Sequence, residues 1–286
     1  MPQVAYSRSS KLTGAHASVI TCLCLSPNGL FLAVGSLEGK VSVWSTKTGR
    51  LFFVVEGPVP ALSLVWKPSS EYEFFIGQSN GNLVHVHIRQ VRNNRLETTG
   101  GCNEVHVWRV DEHLTISPLS QLHKSPAIKL DAQRPVLISG LHWIKGSHSS
   151  NVLVVCYVYH GAMIWDPITN KMLRYLPLNT MIGGISITPD SKFIAISNMT
   201  EGFDIWDLDA GKHMASYSHR CEHTLRVPVK FVQKGQTLLG GSTVGRPCVW
   251  DVETEVLTQD LRHEKGIVLA IDMIVCRTFN SGRGVT

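Results

Sequence analysis

The sequence predicts an all-β protein assembled from repeated, four-stranded, up-and-down antiparallel units. Three observations lead there. Short apolar runs rich in β-branched and aromatic residues alternate with clusters of Pro, Gly, Asn and Asp, as strands and tight turns do. No run is long enough for a three-turn amphipathic helix. The pattern also recurs at multiples of roughly 40–45 residues, a spacing that marks repeat architectures.

The stretch Ile185 to Ser218 shows the unit most clearly. Ile185 and Ile187 make a first run, and Pro189-Asp190-Ser191 turns the chain. Phe193 to Ile196 form the second run, followed by a turn over Asn198 to Gly202. Phe203, Ile205 and Trp206 form the third. Asp209-Ala210-Gly211-Lys212 leads to the fourth, Met214 to Tyr217. Shifted by 162 positions, Pro27, Phe31, Ala33 and Trp44 fall on Pro189, Phe193, Ala195 and Trp206. Shifted by 206, Gly35, Ser36, Gly39 and Trp44 fall on Gly241, Ser242, Gly245 and Trp250; at 42, Gly35 and Gly39 fall on Gly77 and Gly81.

Taken in order, the repeats lie near residues 14–56, 57–92, 98–120, 134–177, 180–218, 223–261 and 263–280 within a single domain of 286 residues. Val86-His87 ends the third strand of the second repeat. The period then fails: Val86 to Trp108 is about half a unit, so Cys102 to Trp108 and Thr115 to Leu119 read as third and fourth strands without the two before them. Ile267 to Cys276 reads as the first strand of a last repeat, and residues 2–8 are placed to supply its outermost strand. An incomplete unit of this kind leaves strand edges and apolar faces uncovered.

Three of the third strands close on Trp-Asp, at Trp165-Asp166, Trp206-Asp207 and Trp250-Asp251, and Gly14-Ala15-His16 stands before the first strand. On these residues the chain resembles the WD-repeat β-propeller family across nearly its whole length, and looks like the large group of fungal WD-repeat proteins. The resemblance implies a seven-blade plan with blades three and seven incomplete, or an irregular six-bladed ring. It also implies a hydrogen-bonded tetrad within a blade, made by the third-strand Trp, a second-strand Ser or Thr, a turn Asp and the Gly-His histidine. Matched here, these are His16, Ser36 and Trp44 with Glu38 near the Asp position, and Ser242 and Trp250 with His223 one place out of register. No turn Asp is present: Glu38, Asn80, Glu201 and Val244 stand near its place. Stability is therefore expected to rest on apolar packing between sheets, with Trp206 among the buried aromatics.

Composition narrows the class. With 43% hydrophobic and 17% charged residues the chain can bury a large core. Its net charge of +5 is dispersed, Arg89 to Arg95 being the densest patch, so nucleic acid is not the expected partner. The N-terminus lacks the apolar core of a secretory signal, and the longest apolar run, Val152 to Val158, falls far short of a membrane span. Seven scattered cysteines suit buried thiols in a reducing compartment. The expected setting is intracellular, cytoplasmic or nuclear, and the sequon at Asn198 carries little weight there.

No catalytic or cofactor signature in the sequence supports an enzyme, so no cofactor or metal is expected. Gly240 to Gly245 is glycine-rich but lies between two strands, where a hairpin turn accounts for it better than a phosphate loop. His213, His219, Cys221 and His223 offer zinc-type ligands without a supporting motif. Asp207/Asp209 and Glu253/Glu255 fall in turns, and His85 and His87 share one strand face expected to be partly exposed. Asp272 is a lone carboxylate among the first strands. The expected function is a non-catalytic scaffold binding other proteins through propeller loops, with a phosphopeptide or nucleic-acid reader as the alternative and a channel enzyme as a remote one. Residues expected to contact partners are Ser18, Glu38, Pro60, Asn80, Thr180, Glu201, Arg226 and Arg246, the two arginines foremost because Arg pairs well with carboxylate and phosphate.

Overall fold

A computed structural model of the protein describes residues 5–7, 11–88, 90–96, 105–110, 116–122, 134–145, 151–219, 224–262 and 266–273. These fall into two compact units, one drawn from Arg8–Glu97 and Asp272–Thr286, the other from Met1–Ser7 and Thr98–Ile271.

The first unit holds two four-stranded antiparallel sheets. One is β1 (Ile20–Leu25), β2 (Phe31–Ser36), β3 (Lys40–Ser45) and β4 (Leu51–Glu56), and the other is β5 (Ala61–Trp66), β6 (Glu73–Gln78), β7 (Leu83–His87) and β8 (Gln90–Leu96). Both run in sequence order, each strand pairing with the next. Ala33, Val41 and Val43 of the first sheet pack against Ala61, Trp66, Phe74, Ile76 and Val86 of the second. Burying each such large side chain contributes ~1.5–3 kcal/mol. Trp66 Nε1 donates to the Cys24 carbonyl across this interface at 3.0 Å.

The second unit opens with a two-stranded sheet, β9 (Val105–Val110) and β10 (Ile116–Leu122). Three four-stranded sheets follow. They are β11 (Ile138–Lys145) to β14 (Lys171–Leu176) with β12 (Asn151–Tyr157) and β13 (Gly161–Asp166) between; β15 (Ile182–Ile187), β16 (Phe193–Asn198), β17 (Gly202–Asp207) and β18 (His213–Ser218); and β19 (Val229–Val232), β20 (Thr237–Gly240), β21 (Cys248–Asp251) and β22 (Leu257–Asp260). Apolar layers fill the spaces between neighbours: Val105, Val107 and Leu122 against Leu153, Val155 and Trp165; Val154, Ile164 and Leu178 against Ile182, Ile194 and Ile196; Phe203, Ile205 and Tyr217 against Val229, Leu238 and Trp250. Arg174 ties the second of these layers from outside, Nη1 donating to the Leu208 carbonyl at 2.8 Å.

The repeat extends to the register. Trp44, Trp165, Trp206 and Trp250 each lie across from the same second-strand position, occupied by Leu32, Leu153, Ile194 and Leu238, and Val86 faces Phe74 likewise. At each of the four tryptophans the pairing of third and fourth strand shifts by a bulge. Bulges also recur near the start of β1, β5, β11 and β15. Such bulges increase local twist. Gly39, at φ 81°, shows why the turn entering a third strand needs glycine: a Cβ there would sit 2.3 Å from the Gly57 carbonyl oxygen. Gly240 is held to glycine by another neighbour, the Phe203 ring, whose nearest atom lies 2.3 Å from where a Cβ would be.

Three expectations are revised. The described residues contain five complete sheets and one hairpin, so neither a count of seven nor one of six is seen. Within 267–273 no strand forms: Val268 makes a single isolated bridge to Ser242, because the run lacks a following partner among the described residues, and 274–286 lie outside them. Residues 5–7 carry no strand either. Tyr6 is instead held by side chains of the last sheet, its N–H donating to Gln259 Oε1 at 2.8 Å and its hydroxyl accepting from Gln233 Nε2 at 3.0 Å.

Candidate functional site

One hydrogen bond recurs in all five complete sheets. The N–H just after the second strand, or in the turn beyond it, donates to a carbonyl just before the first strand: Leu37 to Val19, Ser79 to Pro60, Val158 to Leu137, Met199 to Met181 and Gly241 to Pro228, at 2.8–3.0 Å. Each bond pins the segment entering a sheet against the turn between its second and third strands. Two loops distant in sequence thus become one small platform at the same end of every sheet.

The sequence-predicted residues lie on these platforms. In the first unit exposed Ser18 and exposed Glu38 flank the first pin, and Glu38 Oε1 accepts from the Ala17 N–H at 3.3 Å. Pro60 supplies the second pin's carbonyl and Asn80 follows its donor, Asn80 Oδ1 accepting from the Asn82 N–H at 3.1 Å. In the second unit half-buried Thr180 and exposed Glu201 flank the pin between Met199 and Met181. Arg226 is exposed, two residues before the pinning Pro228. Arg246 is exposed too, but its guanidinium is ion-paired with Asp260 and its N–H donates to Ser242 Oγ at 2.9 Å. The eight therefore divide four and four between the units.

The sequence marks the sheet β11–β14 as a repeat but singles out no residue on its platform. Its platform carries Tyr159, with the Arg134 guanidinium 5.4 Å from the ring centroid, a cation–π pair. The turn Tyr157 to Gly161 is rich in aromatic residues, which read as continuing strand. An Arg preceding a first strand was the available signal.

Beneath the first platform runs a chain of polar contacts. Trp44 Nε1 donates to Ser42 Oγ at 2.8 Å, Ser42 Oγ lies 2.6 Å from His16 Nε2, and His16 Nδ1 faces Glu38 Oε1 at 3.4 Å, an electrostatic contact rather than a well-formed hydrogen bond. The hydroxyl is that of Ser42 on the third strand, not Ser36. Ser36 donates to the Lys40 carbonyl within its own turn. Burial holds the His16 pKa below the usual histidine value, outweighing Glu38. In β19–β22 Ser242 Oγ is likewise spent on the turn, accepting from the Val244 and Arg246 N–H groups, and His223 lies outside the described residues.

Other singled-out residues are structural in place. Asp166, Asp207 and Asp251 each cap the turn after their Trp, accepting from Ile168, Asp209 and Thr254 N–H groups at 2.8–2.9 Å. His85 is buried rather than partly exposed: it lies against the Phe75 ring with Nε2 3.3 Å from Glu73. His213 bonds Ser216 Oγ at 3.0 Å and His219 stacks on Phe203; Cys221 and His223 lie outside the described residues. No group of three or more His, Cys, Asp or Glu among the described residues is placed to hold a metal ion. Asp272 Oδ2 accepts from the Leu25 N–H at 2.7 Å. Asn198 is buried and occupied by its own turn. Among the described residues no helix is long and apolar enough to cross a membrane.

Residues 7–45, which span the polar chain and first pin, match the family model of the WD domain, G-beta repeat. The chain carries a WD repeat, and its up-and-down four-stranded sheets are of the β-propeller type. Similar proteins include the U3 small nucleolar RNA-associated protein 15 homologs of Xenopus laevis, 32% identical over 84 residues, and of Mus musculus and Homo sapiens, each 36% identical over 72 residues. The matched stretch is 29% of this WD-repeat protein and 16% of the first relative, and 25% of this protein and 13–14% of the other two. The chain thus spans only a small part of the relatives it matches.

Proposed function

We propose that this WD-repeat protein is a non-catalytic interaction scaffold that presents its platforms to partner proteins. The recurring pin carries this reading. It fixes two loops together with backbone bonds alone, leaving exposed side chains free to vary from one sheet to the next, as recognition surfaces on rigid frameworks do. Ser18, Glu38, Pro60, Asn80, Thr180, Glu201, Arg226 and Arg246 are proposed as contacting residues, and Arg134 and Tyr159 join them. Arg226 leads, since Arg246 is already paired with Asp260. The relatives' name ties them to a small nucleolar RNA, which supports a nuclear rather than a cytoplasmic setting for this chain.

The test is affinity purification of the full chain with cross-linked partners identified by mass spectrometry. The combined variant Glu201→Lys, Arg226→Glu should lose its partners at least tenfold, as removal of a hot-spot arginine worth ~2 kcal/mol or more does. Circular dichroism should remain that of the parent. Undiminished recovery by the folded variant would remove these platforms as the binding surface.

A further inference from the structure

At the end of the sheets away from the pins, a cavity of about 440 Å³ opens between β11–β14 and β15–β18. Its walls include His142, Trp143 and Lys145 from the end of β11, Asn151 at the start of β12, and Thr188 and Ser191 from the turn after β15. The volume is within the range of small-ligand pockets. Trp143 is 51% exposed, so its indole face is open on the cavity wall. Its neighbour Ile144 packs against the core on the other face of the strand, which leaves the Trp143 side chain on the cavity side.

The charges around the indole are one-sided. Lys145 is exposed on the cavity wall. Lys230 lies near enough to His142 to oppose its protonation. The acidic group at the rim, Asp190, is already engaged, with the Thr188 hydroxyl at 2.6 Å and Lys192 at 4.0 Å. What remains among the described residues is a flat aromatic face, the Lys145 cation, and neutral amide and hydroxyl groups from Asn151 and Ser191.

We propose that this cavity binds a nucleotide, its base stacked on Trp143 and its phosphate beside Lys145. Base–aromatic stacking tolerates any base, and a lysine neutralises a phosphate as a point charge. The same chemistry is offered by a free mononucleotide and by one unit of a single-stranded RNA, and the experiment separates them. The site lies apart from the platforms and does not depend on their function.

The test uses the full chain and the variants Trp143→Ala, Trp143→Phe and Lys145→Glu, each first checked for an unchanged melting temperature. Binding of fluorescein-labelled octauridylate and octaadenylate is followed by anisotropy, and of UMP and AMP by calorimetry. Trp143→Ala should weaken binding roughly fivefold or more, Trp143→Phe less, and Lys145→Glu should weaken it and flatten its salt dependence. Oligonucleotide binding that mononucleotides do not compete away assigns the site to RNA; mononucleotide binding alone assigns it to a free nucleotide. No binding of either, or binding that both Trp143→Ala and Lys145→Glu leave unchanged, overturns the proposal.

Discussion

In the sheet β1–β4 the polar interior runs inward along one line, from Trp44 through Ser42 to His16 and on toward Glu38. In β15–β18 the equivalent positions are Trp206 and Asp204, and the line is rerouted. Asp204 accepts from Asn198 Nδ2 at 2.8 Å and from Ser216 Oγ at 2.7 Å, and Ser216 meets His213, whose ring stands edge-on to Trp206. Asn198 Oδ1 in turn accepts the Glu201 and Gly202 N–H groups. The first network grips the incoming segment through His16; the second grips the strand-two turn and the outer strand. Yet both sheets keep the same register, the same bulge at the Trp and the same pin. The backbone pattern is thus the invariant, and the side-chain wiring is one of several ways to secure it.

The two tryptophans should separate these sheets most strongly. Trp44 is buried at 7% exposure, while Trp206, expected to be buried, is only half-buried. Trp44→Ala should cost ~3–5 kcal/mol, in the range for truncating a buried aromatic. Trp206→Ala should cost clearly less in the same urea titrations, and equal losses would erase the distinction. The polar networks come next. Asn198→Ala strips acceptors from the turn and leaves the Asp204 carboxylate short of a donor, for a loss of ~2–3 kcal/mol. Ser42→Ala removes one neutral hydroxyl between two partners and should cost ~1–2 kcal/mol. A reversed order would show that the rerouted network is the weaker of the two.

The smallest effect is one of pH. Burial holds His16, His85 and His219 below the ordinary histidine value of 6.5. The unfolded chain then binds protons that the folded chain does not. Stability should be full above pH 6.5 and decline as pH falls through that value toward the depressed folded pKa. The urea midpoint should accordingly drop between pH 7.5 and 5.5, and His16→Gln should shrink the drop. A midpoint that rises on acidification would contradict the placement of these rings.

Much of this was legible in the residues. The strand order and the repeat could be read because Trp-Asp pairs, turn prolines and positive-φ glycines such as Gly39 are chemically distinctive. The role of Ser42 was hidden: in Lys40 to Ser45 it looks like any small residue of an alternating strand, and only the strand pairing brings it beneath His16. The pins were invisible for a deeper reason. Their donors are Leu37, Ser79, Val158, Met199 and Gly241, which share a backbone N–H and nothing else. The blade count departs from expectation within 267–273, the described part of the run Ile267 to Cys276, where an apolar run reads as a strand whether or not a partner pairs with it.

Those five amides offer the most direct test. In native-state hydrogen exchange resolved by residue, Leu37, Ser79, Val158, Met199 and Gly241 should all exchange slowly, well behind the turn amides beside them, such as Glu38 and Asn80. Free exchange at these five, matching their turn neighbours, would mean that the loops are not joined and that the shared platform does not exist.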